Sequence, residues 1–258
     1  MLYLFGTTDP KVVDTCRVLL RPGDCFLDIG ANYGAVGLLC SKAVGNDGVV
    51  HLFEPQPELC ERVRTAIAEH GLDHVRLHEV GLMDRDDVID MVRPRAHWGS
   101  ASFVLNRTCH RSVETLRLRV KNIATYLPPL IGDRSFSAKI DVEGAERHLL
   151  PWLFQQTRLR FVVFESVHLE EVDLLFDAIA EAGFVLFGLR KTLLRTRLQR
   201  ITAPQHARHY HDLAAVRIDP AVALPDWVSP GQLRSFLLDE QTDSVLAGVR
   251  SCPTASPV

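Results

Sequence analysis

Residues 26–34 read Phe-Leu-Asp-Ile-Gly-Ala-Asn-Tyr-Gly, and the fold turns on them. Cys25-Phe26-Leu27-Asp28-Ile29 is a short apolar run, the pattern of a buried strand. It breaks at Gly30, and Gly30 to Gly34 reads as a turn into a helix over 35–44. Glycine there permits a tight turn and lets a ligand approach the backbone. The helix that follows presents free N–H groups. A second apolar run, Val49-Val50-His51-Leu52-Phe53, ends at Glu54-Pro55. Glu54 stands 24 positions after Gly30, where a carboxylate can accept two hydrogen bonds from a ribose diol.

Outward from this core, alternation continues. Val12, Val13, Cys16, Leu19 and Leu20 share one face of a helix over 10–20, which Arg21-Pro22-Gly23-Asp24 ends. A helix over 57–70 and a strand over 74–80 complete β-α-β-α-β, which implies a parallel sheet with right-handed crossovers. Strands are predicted over 88–92, 100–105 and 115–120, with a loop over 93–99. Phe136 to Ile140 reads as a strand ending at Asp141, followed by a helix over 145–156. Arg160 to Phe164 is a further strand, ending at Glu165, and a helix over 169–182 stops at Gly183. Phe184 to Leu189 and Asp212 to Ile218 suit a late antiparallel pair. The division expected is an N-terminal helical segment (1–22), a main α/β domain (23–218) and a partly flexible C-terminal extension (219–258), with one helix near 230–240.

The chain has 258 residues, 47% hydrophobic and 24% charged, which suits one large α/β domain. Its net charge of −3 supplies no global positive field, so no nucleic-acid partner is expected. Residues 1–10 lack the basic start and apolar core of a secretory signal, and no apolar run approaches the ~20 residues of a membrane span. The expected location is cytoplasmic. Six cysteines (Cys16, Cys25, Cys40, Cys60, Cys109, Cys252) form no C-x-x-C pair and read as small buried hydrophobes.

The choice of cofactor rests on what the turn lacks. A dinucleotide fingerprint, G-x-G-x-x-G/A, needs glycine where Asn32 stands, and no P-loop sequence is present. Asp28 before the turn repels phosphate but can help hold a cationic amino-acid moiety. S-adenosylmethionine carries a ribose, an ammonium and a sulfonium, and no phosphate.

The pattern resembles the FkbM family of methyltransferases. The pieces that carry the resemblance are FLDIGANYG (26–34), VVHLFEPQPE (49–58), VRLHEVGLMDRDD (75–87), KIDVEGAERHLL (139–150) and FVVFES (161–166), in the family's order over roughly 24–190. The resemblance implies an α/β fold of the class I methyltransferase, Rossmann-like type. That fold has a seven-stranded, mostly parallel sheet, an antiparallel last strand and helices on both faces. It implies S-adenosylmethionine as cofactor, S-adenosylhomocysteine as product, and O-methyl transfer to a sugar or polyketide hydroxyl. Carried over by residue, Gly30, Ala31, Asn32 and Gly34 form the methionine-side turn, with Asp28 beneath it. Glu54 holds the ribose, and Pro55 and Gln56 border the adenosine. Gly81 and Leu82 present backbone to the adenine, and Asp141 sits beside the transferred methyl. Residues 123–127, Ile-Ala-Thr-Tyr-Leu, depart from the L-D-D-type helix start often found there, and 93–112 and 190–210 lie outside the family pattern.

Methyl transfer holds acceptor oxygen, methyl and sulfur in line, and a positioned base helps a hydroxyl attack. Asp141, Glu143 and His168 are the catalytic candidates, since Asp141-Val142-Glu143 and Glu165-Ser166-Val167-His168 follow strands at the edge where α/β sheets bind ligands. Glu143 also suits a helix cap and His168 a surface position. No metal site is expected. His206, His209 and His211 lack the i, i+4 spacing of a zinc helix, although a carboxylate-histidine cluster can take a divalent cation. Arg190, Lys191, Arg195, Arg197 and Arg200 read as a solvated helix face, or as a clamp for an anionic or lipid-linked acceptor. Trp98 suits either stacking on a sugar or packing. The partner expected is therefore a small-molecule or glycan acceptor. N-methylation of a small amine or protein stays open, as does a non-catalytic nucleoside-binding role. The absence of an N-P-P-Y-type motif, with Asp-Val-Glu-Gly in its place, favours oxygen.

Overall fold

The structure, a computed structural model, describes residues 9–94, 113–142, 144–166, 172–192, 195–218 and 224–235. Helix α1 (Pro10–Leu19) starts on a proline, and the Asp9 carboxylate accepts the N–H groups of Lys11 and Val12. Its stripe of Val12, Val13, Cys16 and Leu19 is buried, which fixes the helix on the sheet. The first crossovers run β1 (Cys25–Ile29), α2 (Ala35–Val44), β2 (Val49–Phe53), α3 (Pro57–Glu69) and β3 (Val75–His78). Strands β4 (Gly81–Met83), β5 (Asp87–Pro94) and β6 (Val113–Asn122) follow, then the short helices α4 (Ile123–Tyr126) and α5 (Pro128–Ile131). The second half comprises β7 (Phe136–Ile140), α6 (Glu146–Phe154), β8 (Leu159–Glu165), α7 (Val172–Glu181), β9 (Phe184–Lys191), β10 (Thr196–Arg200), α8 (Pro204–Ala207), β11 (Asp212–Arg217) and β12 (Trp227–Val228).

The main sheet has the order β12-β10-β9-β11-β8-β7-β1-β2-β3. Pairing is parallel from β3 through β8, and β11 runs antiparallel to both β8 and β9. Seven of these strands make the expected core, with β11 as its antiparallel member. Two differences follow. The sheet is extended to nine strands by β10 and β12, and β4, β6 and β5 form a separate three-stranded sheet. The basic run near 190–200 is a β-hairpin and not a helix face. Thr196 and Leu198 are buried while Arg197 is exposed, a period of two that packs a strand. The strand predicted over 100–105, the loop over 93–99 beyond Pro94, and Trp98 lie outside the described residues.

Apolar side chains cover both faces of the sheet, as a mostly parallel sheet requires. On β8, Phe161 and Val163 join the core under α1 and α2, while Val162 and Phe164 join the core under α6 and α7. Helix α7 stops where Gly183 adopts φ 79°, a conformation that favours glycine. Cys16, Cys25, Cys40 and Cys60 are buried free thiols, and burial pushes Cys25 and Cys60 up to about 12. No helix among the described residues is long and apolar enough to cross a membrane.

Candidate active site

The carboxyl edges of β1, β7 and β8 meet the start of α1 and of β11 at a cleft of about 320 Å³, whose lining includes Asp9, Asn32, Tyr33, Lys139, Asp141 and Asp212. The turn after β1 forms one wall. The N–H groups of Gly30 and Ala31 both donate to the Phe53 carbonyl at 3.0 Å, tying the turn to the end of β2. Gly30 has φ 75°, and a Cβ there would lie 1.9 Å from the Asp141 carbonyl oxygen. The position therefore admits only glycine. Asn32, at φ 52°, is the one non-glycine residue with positive φ among the described residues, a conformation that asparagine tolerates.

Glu54 is 3% exposed at the end of β2. One carboxylate oxygen accepts the Asn32 N–H at 2.9 Å and the other accepts the Gln56 N–H at 2.9 Å. Burial pushes its pKa up, against those two N–H donors, which favour the charged form. The Gln56 side chain acts in the same direction, and the carboxylate keeps acceptor capacity for a further donor. Pro55 lies close to Gly81, whose added Cβ would stand 3.7 Å from the Pro55 ring and 3.0 Å from Val120. Leu82 is buried in the same core as Phe53. Pro55 and Gly81 are thus brought together, whereas none of Glu54 to Gln56, Gly81 and Leu82 is among the residues that line the cleft.

Asp28 is fully buried beneath the turn. It accepts the Gly37 N–H at 2.8 Å, and its other oxygen lies 3.2 Å from the Lys139 ammonium. Lys139 also donates to the Gly30 carbonyl at 2.8 Å and approaches Asp141 at 3.7 Å. Burial opposes its charge, but Asp28 and Asp141 outweigh burial and raise its pKa. The cation that Asp28 holds in the structure is this lysine. The sequence reading gave Lys139 no role, although it heads the 139–150 stretch. Its partner in register, Asp28, was the available signal.

The wall opposite follows β7. The Asp141 N–H donates to the Ile29 carbonyl at 3.0 Å, and its side chain is 49% exposed at the mouth of the cleft. Glu146, 1% exposed at the start of α6, accepts the Val142 N–H and the Gly144 N–H at 2.9 Å each. It shapes the loop that presents Asp141, and the sequence reading missed it. Glu143 and His168 lie outside the described residues. Glu165 leaves β8 at the same edge as Asp141, and its carboxylate meets His211 at 3.1 Å. His211 also approaches Asp212 at 3.3 Å, and Asp212 pairs with Lys11 at 2.5 Å. Burial pushes the Asp212 pKa up, and Lys11 works against that shift. Of the three histidines near 206–211, only His211 reaches these carboxylates; the His206 and His209 rings lie 6.5 Å apart. Among the described residues, no group of three or more His, Cys, Asp or Glu is arranged to hold a metal.

The family model described as Methyltransferase FkbM domain matches residues 28–186. Three solved structures are similar. An FkbM methyltransferase from Methylobacillus flagellatus KT is 12% identical, with 77% of this chain and 48% of that one covered and a TM-score of 0.46. This chain therefore spans about half the length of that protein. A SAM-dependent O-methyltransferase from Thermotoga maritima is 13% identical, with 86% and 71% covered and a TM-score of 0.48. A precorrin-6y C5,15-methyltransferase from Geobacter metallireducens GS-15 is 13% identical, with 80% and 87% covered and a TM-score of 0.44. No curated protein matches by sequence. The family match covers more than half of the chain and contains the β1 turn, the Glu54 ridge and the β7 loop: this protein belongs to the FkbM methyltransferase family.

Proposed function

We propose that the protein is an S-adenosylmethionine-dependent methyltransferase that methylates a hydroxyl on a sugar, a glycolipid or a glycosylated small molecule. The observation that carries the cofactor assignment is the sign of charge in the cleft. Asp9, Asp141 and Asp212 line it with Lys139, over buried Asp28, and Glu54 holds the turn at Asn32 from behind. Carboxylates outnumber lysines there even when Lys11 is included. Such a cleft disfavours a nucleotide phosphate and favours a ligand that is cationic at one end and neutral at its nucleoside.

The residues fit that ligand. Glu54 keeps acceptor capacity for the ribose hydroxyls, and Gly30, having no side chain, lets the Asp141 backbone close against the turn. Pro55, Gly81 and Leu82 border the adenine side. When bound, S-adenosylmethionine supplies an electrophilic methyl. Asp141, half-exposed at the mouth, accepts a hydrogen bond from the acceptor hydroxyl and orients it. Glu143 and His168 follow β7 and β8 in sequence and remain candidates for taking its proton. His211, held by Glu165 and Asp212, is a further basic group at this edge. The acidic cleft suits a neutral hydroxyl next to the reacting centre.

Isothermal calorimetry with S-adenosylhomocysteine tests the cofactor, and radiolabelled methyl transfer to a panel of sugars and glycolipids tests the acceptor. Glu54→Ala is expected to weaken S-adenosylhomocysteine at least about tenfold, roughly 1.4 kcal/mol. Unchanged affinity would remove Glu54 from the ribose site.

A further inference from the structure

The β9–β10 hairpin carries two kinds of cation, and the structure treats them differently. Lys191 and Thr196 are cross-strand partners, and both reach Asp14 of α1 at 2.7 Å. That side of the hairpin is fastened to the helix. Arg190 and Arg197 are also cross-strand partners, so they project on the other face, with Cβ atoms roughly 5 Å apart. Both are exposed, and among the described residues no ion pair or hydrogen bond engages either guanidinium. Like charges placed directly opposite on a sheet repel. The register of the hairpin nevertheless sets them side by side. Next along the same face, Gln199 pairs with Gly188, and the Tyr210 ring rests on Gly188, where a Cβ would lie 2.3 Å from it. The Tyr210 hydroxyl bonds Gln199, closing the base of the pair.

Two exposed guanidiniums on neighbouring strands can both reach the oxygens of one tetrahedral oxyanion, each offering paired N–H donors. We propose that Arg190 and Arg197 clamp a phosphoryl group carried by the acceptor; this rests on the reading that transfer occurs at the carboxyl edge of β7. Arg190 stands near the carboxyl end of β9, the end from which Asp141 leaves β7. β9 lies three strands from β7 in the sheet, a span of roughly 14 Å. The acceptor is therefore an elongated phosphorylated molecule. Its reacting hydroxyl lies in the acidic cleft and its phosphate outside it. The two charge environments sort its two ends.

Thermal-shift titrations with inorganic phosphate and phenyl phosphate, with phenol as the uncharged control, test the clamp. Wild type and the Arg64→Gln control are expected to be stabilised by both phosphates and not by phenol. Arg190→Gln/Arg197→Gln is expected to need at least about fivefold more phosphate for the same shift. Arg190→Lys/Arg197→Lys, which keeps the charge, is expected to respond in between, and serves if the glutamine variant does not fold. An equal response in the glutamine variant, or none in wild type, overturns the proposal. Sedimentation with phosphatidylglycerol vesicles that persists in saturating inorganic phosphate would also overturn it, in favour of a membrane surface. Calorimetry with S-adenosylhomocysteine on the same proteins separates the two readings. Equal affinity in wild type and the glutamine variant is expected. Loss in every protein would end the cofactor reading and leave the phosphate result to decide the clamp.

Discussion

The first half of the sheet and the outer hairpin handle charge in opposite ways. At β1, β2 and β7 the ionic groups are buried and spend themselves on the chain: Asp28 on Gly37 and Lys139, Glu54 on Asn32 and Gln56, Glu146 on Val142 and Gly144. At β9 and β10, Arg190, Lys191 and Arg197 are exposed. Buried groups of the first kind fix loop shape, because an unpaired polar atom inside the protein is costly. Exposed groups of the second kind add little to stability and remain available to a ligand. Rigidity is concentrated at the turns of β1, β2 and β7, and adaptable charge on the hairpin.

Substitution on the buried side should produce the largest losses. Gly30→Val forces a side chain into the Asp141 carbonyl at φ 75°. A loss of about 4 kcal/mol or more is expected in urea denaturation, together with loss of S-adenosylhomocysteine binding. A Gly30→Val protein of wild-type stability would mean that the two loops do not interlock. Glu146→Ala strands two N–H groups, at about 1–3 kcal/mol each, so a loss of about 3 kcal/mol is expected from the same measurement. A change below 1 kcal/mol would show that the loop after β7 holds itself.

The buried side should also be acid-sensitive. His51 is 5% exposed, and its Nδ1 lies 2.9 Å from His78 Nε2. Burial, then the charges of His78, Arg76 and Arg134, push its pKa down to about 4, and burial lowers that of His78. A histidine depressed in the folded state contributes stability that is complete above its ordinary value near 6.5 and lost as pH falls toward about 4. That window is worth about 3 kcal/mol for His51. Denaturation followed between pH 7 and pH 4 should fall steeply in wild type and more gently in His51→Gln, and parallel curves would refute the assignment. The hairpin side should instead respond to salt. Lys191→Ala removes an exposed pair with Asp14 and should cost under about 1 kcal/mol, a difference that shrinks in 1 M NaCl.

The same contrast explains what could be read from the sequence. The β1 turn and Glu54 were legible because their chemistry is local: a glycine that must turn, and a carboxylate at a strand end. The strand-by-strand alternation around them was legible for the same reason. Glu146 was not singled out, because its role depends on where the N–H groups of Val142 and Gly144 point. Lys139 became intelligible only when β1 and β7 were placed in register. In the basic run, Leu193 and Leu194 beside the arginines suggested a helix, whereas the alternation of Thr196, Arg197 and Leu198 specified a strand. Three residues of alternation are too few to outweigh composition until a partner strand is present. The extra strands β10 and β12 and the second sheet depend on such pairings, which no local pattern announces.

The contact between residue 30 and the Asp141 backbone carries a lesson for engineering. Because the two loops occupy each other's space, they cannot be treated as separable cassettes. A chimera that imports the segment after β7 from a relative with another acceptor must preserve the path of one carbonyl to within a few tenths of an ångström. On the hairpin, by contrast, an exposed side chain such as Arg197 can be exchanged without such a clash.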